Sequence, residues 1–499
     1  MKQEAQDTIQ KRRGYYGVVA VCYFLCIATL GWTQSADEAL RYSELRFGGT
    51  ARGMGVAGAF GAIGADYSSI LTNPGGLALF RNSEAMVTIN FDHIKNEATY
   101  EGTRSHDDHL NFNLPNLGVV FATKRKKENR WKFLNFALGY NRFANFHSDN
   151  YYRRLGTGNS ILKGYAYELT GIPAEQIEYG GNYSMESVLA YDAYLVNPLL
   201  SDNTKYSTVA DNADVNQQIS IERRGAIDEF SFALAANYND KVYFGGYVGI
   251  PFLFYRERIN HYEQNTASDS DAFNYFELAQ RLNTFGIGVN FKMGLIARPL
   301  DWLRVGVAFH TPTYYGMNDD FSSSVYADFD TVSYYRESPF GEFHYNLVTP
   351  LRFTGSIGFI ARKFAFVSFD YERVDYSNAN YKMGGAYTDF EYGLNDDITS
   401  QYAAANIYRA GVELALDKFR LRGGFAHYDT PYESASIVGD YNSSVNYYTF
   451  GTGIRLKKIY LDFAYVRSRS KAINHTVNDV FAYDALTGNK FLFTTGFRF

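Results

Sequence analysis

Few residues in this chain are spaced for chemistry, and each such group has a competing structural explanation. Gly53, Gly55 and Gly58 form a G-x-G-x-x-G match, the spacing that lets a backbone approach a dinucleotide pyrophosphate. That chemistry needs a buried strand before the glycines and a βαβ unit around them. The preceding EALRYSELRF is polar and no βαβ alternation follows, so the glycines read as backbone packed closely inside something narrow. His106-Asp-Asp-His109 has metal-like spacing, but on a predicted loop it reads as a solvated cluster. No G-x-S-x-G occurs, and no serine is placed with a His and an Asp as in a lipase. No catalytic residue, metal ligand or cofactor is assigned, and the chain is not read as an enzyme.

The only two cysteines, Cys22 and Cys26, lie in an N-terminal segment with the pattern of an export signal. Lys2, Lys11, Arg12 and Arg13 form a basic start and Gly14–Trp32 an apolar run, and Thr33, Gln34, Ser35 and Ala36 supply small or polar residues for cleavage. Residues 1–34 are therefore expected to be a signal peptide. Its removal leaves a chain without thiol chemistry or disulfides.

The elements that must carry the rest are strands. Aromatic residues make up 17% of the 499-residue chain, with 44 Gly against 10 Pro, which suits many twisted strands joined by polar loops. Mean hydropathy is −0.29, and no apolar run beyond the N-terminus is long enough for a membrane helix. The formal charge of −5 leaves no basic face for nucleic acid.

From residue 84 onward, apolar and polar side chains alternate. In the last segment Phe491, Phe493, Thr495, Phe497 and Phe499 share one face, while Leu492, Thr494, Gly496 and Arg498 share the other. In 407–416, Tyr408, Ala410, Val412, Leu414 and Leu416 oppose Arg409, Gly411, Glu413 and Ala415. An apolar face backed by arginine suits a strand between lipid and a watery lumen. Short polar connections near 124–130, 239–240, 298–302, 362–363, 417–418 and 457–458 alternate with longer ones. They predict about 14 strands, an even number as a barrel requires. Strand 2 is predicted to begin at 110, strand 4 at 226 and strand 14 at 489. Two insertions are set apart: 147–225, expected to hold one or two short helices as an external cap, and the acidic, tyrosine-rich 382–403. Each is read as shielding the mouth or catching ligand.

The block Phe47-GGTARGMGVAGAFGAIGADYSSILTNPGGLAL-Phe80 resembles the N-terminal hatch of the FadL/TodX family of outer-membrane transporters for long-chain fatty acids and other hydrophobic compounds. The likeness is best at Gly53–Gly64, at Ala65-Asp66-Tyr67-Ser68-Ser69 and at Asn73-Pro74. It departs at Gly75, where the family usually has Ala; a small residue is kept. The terminal Phe499 and the strand count extend the likeness over the chain. The resemblance implies an all-β, transmembrane antiparallel β-barrel in the bacterial outer membrane, with 35–83 as a small hatch in the lumen and 84–499 as the barrel. It implies passive transport of a hydrophobic, fatty-acid-like molecule, gating at Asn73, Pro74 and Gly75, and lateral exit at an inward kink in the third strand. Gly139 is the candidate kink position. Lumen-facing Arg409, Arg420, Arg422 and Arg455 are candidate contacts for a ligand carboxylate, or pair with carboxylates such as Glu413 and Asp462. Lipid and lipopolysaccharide would surround a monomer. Two alternatives stay open on the same fold: a barrel resembling PorV that receives exported protein cargo, and a haemin-binding receptor.

Overall fold

The computed structural model describes residues 34–126, 129–266, 273–434, 443–478 and 480–499. The expected signal peptide lies outside these, except for its last residue.

Among the described residues fourteen strands form one closed antiparallel barrel. The first five are β1 (Glu84–Tyr100), β2 (Thr103–Lys124), β3 (Trp131–Asn145), β4 (Val215–Tyr238) and β5 (Val242–Asn265). There follow β6 (Phe273–Leu300), β7 (Leu303–His310, resuming at Tyr314–Phe329), β8 (Gly341–Val348, resuming at Arg352–Ala361) and β9 (Ala365–Asp375). The last are β10 (Ala404–Leu416), β11 (Phe419–Tyr428), β12 (Val445–Arg455), β13 (Ile459–Val477) and β14 (Val480–Arg498). β14 pairs back onto β1, from Glu84 opposite Arg498 to Tyr100 opposite Ala482. That closure pairs the first strand with the last, so neither is left as a sheet edge.

The burial pattern is that of a soluble protein turned inside out. On β10, Tyr408, Val412 and Leu414 are exposed while Arg409 and Glu413 are each only 6% exposed. On β14 Phe491, Phe493 and Phe497 face out and Thr494 faces in. An exposed apolar belt running round the whole circumference is stable only against hydrocarbon. Trp131 packs on Tyr238, and Trp302 on Phe359, near the short-turn end, where amphipathic rings sit at a membrane interface. The chain is a transmembrane β-barrel.

The strands are longer than a membrane needs. A tilted strand spans hydrocarbon in about 9–11 residues, yet β4 and β5 each run for 24. The excess lies at the long-loop end and explains where the predicted boundaries fail. β2 begins at Thr103, seven residues before the predicted start, and a two-residue turn, Glu101–Gly102, links it to β1. β4 begins at Val215, and β14 at Val480 rather than 489. Beyond the membrane the outward face no longer has to be apolar, so the alternation fades while backbone pairing continues. His106 and His109 consequently sit on a strand, not a loop.

Residues 34–83 fill the lumen. They form three helices, α1 (Ala36–Ser43), α2 (Ala51–Met54) and α3 (Tyr67–Thr72), followed by a 3-10 turn, Pro74–Leu79. Each helix is started by a side-chain acceptor: Ser35 takes Glu38 N–H, Thr50 takes Gly53 N–H and Asp66 takes Ser68 N–H.

Two insertions form the crown. A continuation of β3, Ser148–Thr157, pairs with β4 and leads into helices α4 (Ile161–Leu169) and α5 (Met185–Asp192). Leu162, Leu169, Leu189 and Leu195 pack there with Phe273 and Phe276 of β6 and Val325 of β7. The second insertion holds helix α6 (Thr388–Gln401). α1 lies beneath α6, with the Tyr402 hydroxyl on Asp37 and the Tyr381 hydroxyl on the Ser35 carbonyl.

Candidate ligand path and hatch

The Asn73-Pro74-Gly75 turn is wedged against the barrel wall near the short-turn end. Asn73 is 1% exposed. Its side-chain amide donates to the Gly61 carbonyl at 2.8 Å and the Leu295 carbonyl at 3.2 Å, and its carbonyl accepts Gly75 N–H at 3.0 Å. Its backbone N–H ends α3 on the Ser69 carbonyl, while its side chain starts the 3-10 turn and ties it to β6. The wall makes room with glycines. A Cβ on Gly294 would lie 1.9 Å from Asn73 Oδ1, and one on Gly245 would lie 2.1 Å from the Pro74 carbonyl oxygen.

A buried charge network ties the hatch to the opposite wall. Arg52 of α2 makes a two-pronged contact with Glu413, Nε to Oε2 at 3.0 Å and Nη2 to Oε1 at 3.1 Å. Arg422 donates to the same Glu413 at 2.6 Å and to Asp462 at 2.8 Å. Arg455 donates to Asp462 at 3.0 Å. Arg409 pairs with Glu372, which also accepts from Arg352. Arg420 lies apart, at a short turn, where it donates to the Asp417 and Phe419 carbonyls. Of the four candidate arginines, three are therefore occupied by lumen carboxylates and one is outside the lumen path.

Gly139 faces inward, and a Cβ there would lie 1.9 Å from the Tyr67 hydroxyl of α3. The ladder passes through it unbroken, Gly139 standing opposite Gly118 on one side and Ser231 on the other. Besides a slip at its start, between Trp131 and Phe133, the third strand has an irregularity four residues after Gly139, where register with β4 slips between Arg142 and Ala144. Phe143 is the extra residue, and Lys292 Nζ stands 4.6 Å from its ring centroid.

At the same level β2 and β3 part. Their backbone pairing ends at Asn116 opposite Asn141. Pro115 lies just beyond, in a stretch where the β1–β2 register also slips; proline has no N–H to give a ladder. Above it side chains bridge the gap: Asn145 to Asn111 at 3.0 Å, Tyr151 N–H to Asp107 at 2.7 Å, and His109 to Asp149 at 2.9 Å. The wall has a seam here, bridged by contacts that each involve a side chain rather than by a backbone ladder.

Two cavities lie in the lumen among those lined by the described residues. The inner one, about 320 Å³, reaches this seam at Asn113, Pro115 and Arg142–Phe146, and is bounded by the hatch at Arg41–Gly49 and Met54. Its lining is divided: Phe47, Met54, Phe143, Phe146 and Leu492 are apolar, whereas Arg46, Arg142 and Lys490 are cationic. The mouth cavity, about 240 Å³, lies between α1, α5 and strands β5 to β7. A third, apolar recess is lined by Leu234, Phe244, Met293, Val307 and Phe309 on the lipid-facing side of the wall.

A solved structure of a Pseudomonas aeruginosa FadL homologue matches over 91% of this chain and 99% of that one, at 13% identity and a TM-score of 0.55. The P. putida toluene transporter TodX matches over the same shares at 10% identity and 0.53. The chain has the FadL/TodX-type fold. No family model and no curated protein sequence matches it.

Within this FadL/TodX-type barrel, sequence reasoning pointed to Asn73, Pro74 and Gly75 through the hatch motif and did not single out Pro115 or Phe143. Pro115 carried a usable signal, because a proline inside a strand pattern marks a bulge or an unpaired stretch. Phe143 had none: an inward aromatic in an alternating strand looks the same before and after a one-residue slip. His106 and His109 belong to no metal-holding cluster among the described residues.

Proposed function

We propose that the protein passes hydrophobic small molecules, fatty-acid-like in character, across the bacterial outer membrane without an energy source. The short-turn end faces the periplasm and the crown faces outward. Ligand enters through the mouth cavity and settles in the inner one. Its binding shifts the hatch, and it leaves sideways between β2 and β3. One observation carries this reading: the inner cavity runs from the hatch to the seam at Pro115 and Phe143, the stretch of wall where backbone pairing between β2 and β3 has stopped. Lateral release suits an apolar cargo because the hydrocarbon belt begins immediately outside, at exposed Phe112 and Leu117. The likeness to a FadL homologue and to a toluene transporter supports the same class.

The test uses the folded protein in vesicles with oleate as probe. Cysteines at Asn111 and Asn145, whose side chains already bond, are joined by oxidation or a short bifunctional thiol reagent. The only native cysteines are Cys22 and Cys26, so the expected mature chain adds no competing thiol. Uptake that stops on joining and returns on reduction supports lateral exit. Uptake unchanged by the cross-link overturns that route. No saturable oleate binding to the folded barrel overturns the transport reading and directs attention to protein cargo.

A further inference from the structure

The lipid-facing side of the wall carries a gap among large side chains. Leu234, Gly246, Met293 and Phe309 stand opposite one another across β4 to β7. Leu234, Met293 and Phe309 are exposed, as are Leu134 and Phe244 beside them, but Gly246 has no side chain to add to that layer. A Cβ on Gly246 would meet nothing within 4 Å, so no neighbour demands the glycine. The result is the apolar recess, of about 600 Å³. Its floor is the adjoining row, Ala235, Gly245, Gly294 and Ala308. The lumen side of that row holds the hatch turn, since a Cβ on Gly294 or Gly245 would strike Asn73 or Pro74. One layer of backbone separates the recess from the hatch.

The recess lies in the leaflet at the short-turn end. Trp131, with its ring centroid 6.5 Å from that of Phe244, marks the head-group level there. Lys241, at the turn between β4 and β5, precedes Gly246 by five residues, about 16 Å along a strand. Strand tilt brings that depth within the half-thickness of about 15 Å filled by the acyl chains of one leaflet. Adjacent short turns put cations at the level of the phosphates. Asn239 N–H donates to the Arg130 carbonyl at 2.8 Å, and Arg298 N–H to the Lys241 carbonyl at 2.7 Å, which sets Arg130, Lys241 and Arg298 on neighbouring turns. The acids among them are engaged: Asp240 accepts from Arg81 at 2.6 Å and Asp301 from Arg298 at 2.6 Å. An apolar hollow in the hydrocarbon, below a cationic fringe, is complementary to a phospholipid. We infer that the recess seats one acyl chain of a phospholipid from the leaflet at the short-turn end, with the phosphate against Lys241 and Arg298. The inference needs only that the barrel stand in a bilayer, and it holds whatever the barrel carries.

Native mass spectrometry of the full, folded protein, stripped of lipid in detergent and titrated with palmitoyl-oleoyl phosphatidylglycerol, tests this. Wild type is expected to take up one lipid saturably. Gly246→Leu, which places a side chain in open space, is expected to weaken that binding by about tenfold, the scale of about two methylene groups kept out of the recess. Gly246→Ala should fall between the two and serves if the Leu variant fails to fold. Lys241→Gln should weaken binding by about fivefold. Gly423→Leu adds the same side chain at another outward position, 3.9 Å from Val412, and should bind as wild type. Affinity within about twofold of wild type in a folded Gly246→Leu protein overturns the assignment, and so does wild type that takes up no lipid saturably. A wild-type dimer that Gly246→Leu dissolves would make the recess an interface between copies and overturns it as well.

Discussion

Asn73 shows how one side chain can tie the N-terminal segment to the barrel wall. Its amide satisfies two backbone carbonyls, on Gly61 and Leu295, and its carbonyl caps Gly75. Removing it leaves buried polar groups unpaired, at about 1–3 kcal/mol each. Asn73→Ala is expected to speed amide exchange across residues 61–76 while the barrel strands keep their protection. Hydrogen exchange read by mass spectrometry checks this, and equal protection in variant and wild type would refute it. Gly294→Ala approaches the same contact from the wall, where the added methyl meets Asn73 Oδ1, and the same stretch should loosen. The asparagine was legible from the hatch motif. Its glycine partner, 221 residues away in β6 by the numbering, was not, because glycine's role here is an absence of side chain that only the neighbour defines. Gly139 makes the same point: its inward face holds the Tyr67 ring, and nothing in strand alternation distinguishes that from a bend.

At the scale of elements, the hatch is tied to β10, β11, β12 and β13 by Arg52, Glu413, Arg422, Asp462 and Arg455. Taking one partner from such a buried set costs about 3–5 kcal/mol, because the remaining charges have no water to turn to. Glu413→Ala leaves Arg52 and Arg422 without that carboxylate and is expected to lower the thermal unfolding temperature in detergent. A Glu413→Ala barrel melting with wild type would overturn this account. The crown helix α6 depends on a different contact. The Glu391 carboxylate accepts the Met383 and Gly384 N–H groups at 2.6 and 3.0 Å. These bonds hold it below the usual carboxylate range. Its contribution is therefore present above the ordinary Glu value of about 4.3 and is lost as the pH falls through the lower, folded value. Limited proteolysis should cut 382–403 faster in acid than at neutral pH, and Glu391→Gln should bring fast cutting to neutral pH. Cutting that ignores both changes would remove this role. The alternation of β10 and β14 was readable in the sequence; the pairing of individual arginines was not, since several carboxylates share the inward face of neighbouring strands.

For the whole molecule, the seam between β2 and β3 is where shape bears on function. A barrel closed at every rung offers an apolar molecule only axial routes through a hatch and a charged lumen. Under the proposed lateral exit, rungs that stop at Pro115 give such a molecule a side route into lipid. Filling that route is expected to slow transport with little effect on binding. Asn113, which lines the inner cavity beside Pro115, is the position for this: Asn113→Trp should keep oleate affinity and reduce uptake into vesicles. Loss of both together would point to damage in the cavity instead.

The barrel was determined by the sequence, because a lipid-facing strand must alternate and an even set of such strands must close. The short-turn end was legible for the same reason, since turns there lie next to the hydrocarbon belt where the pattern is strongest. The hatch motif was legible through its small residues and its Asn-Pro turn. The long-loop end was less so: β2, β4 and β14 continue past the membrane, where no apolar face is required to mark them. Only the tertiary structure decided which arginines are neutralised and where the ladder breaks. Those are relations between residues on different strands and on the hatch, settled by strand register and by the path of the hatch through the lumen, and a local pattern carries neither.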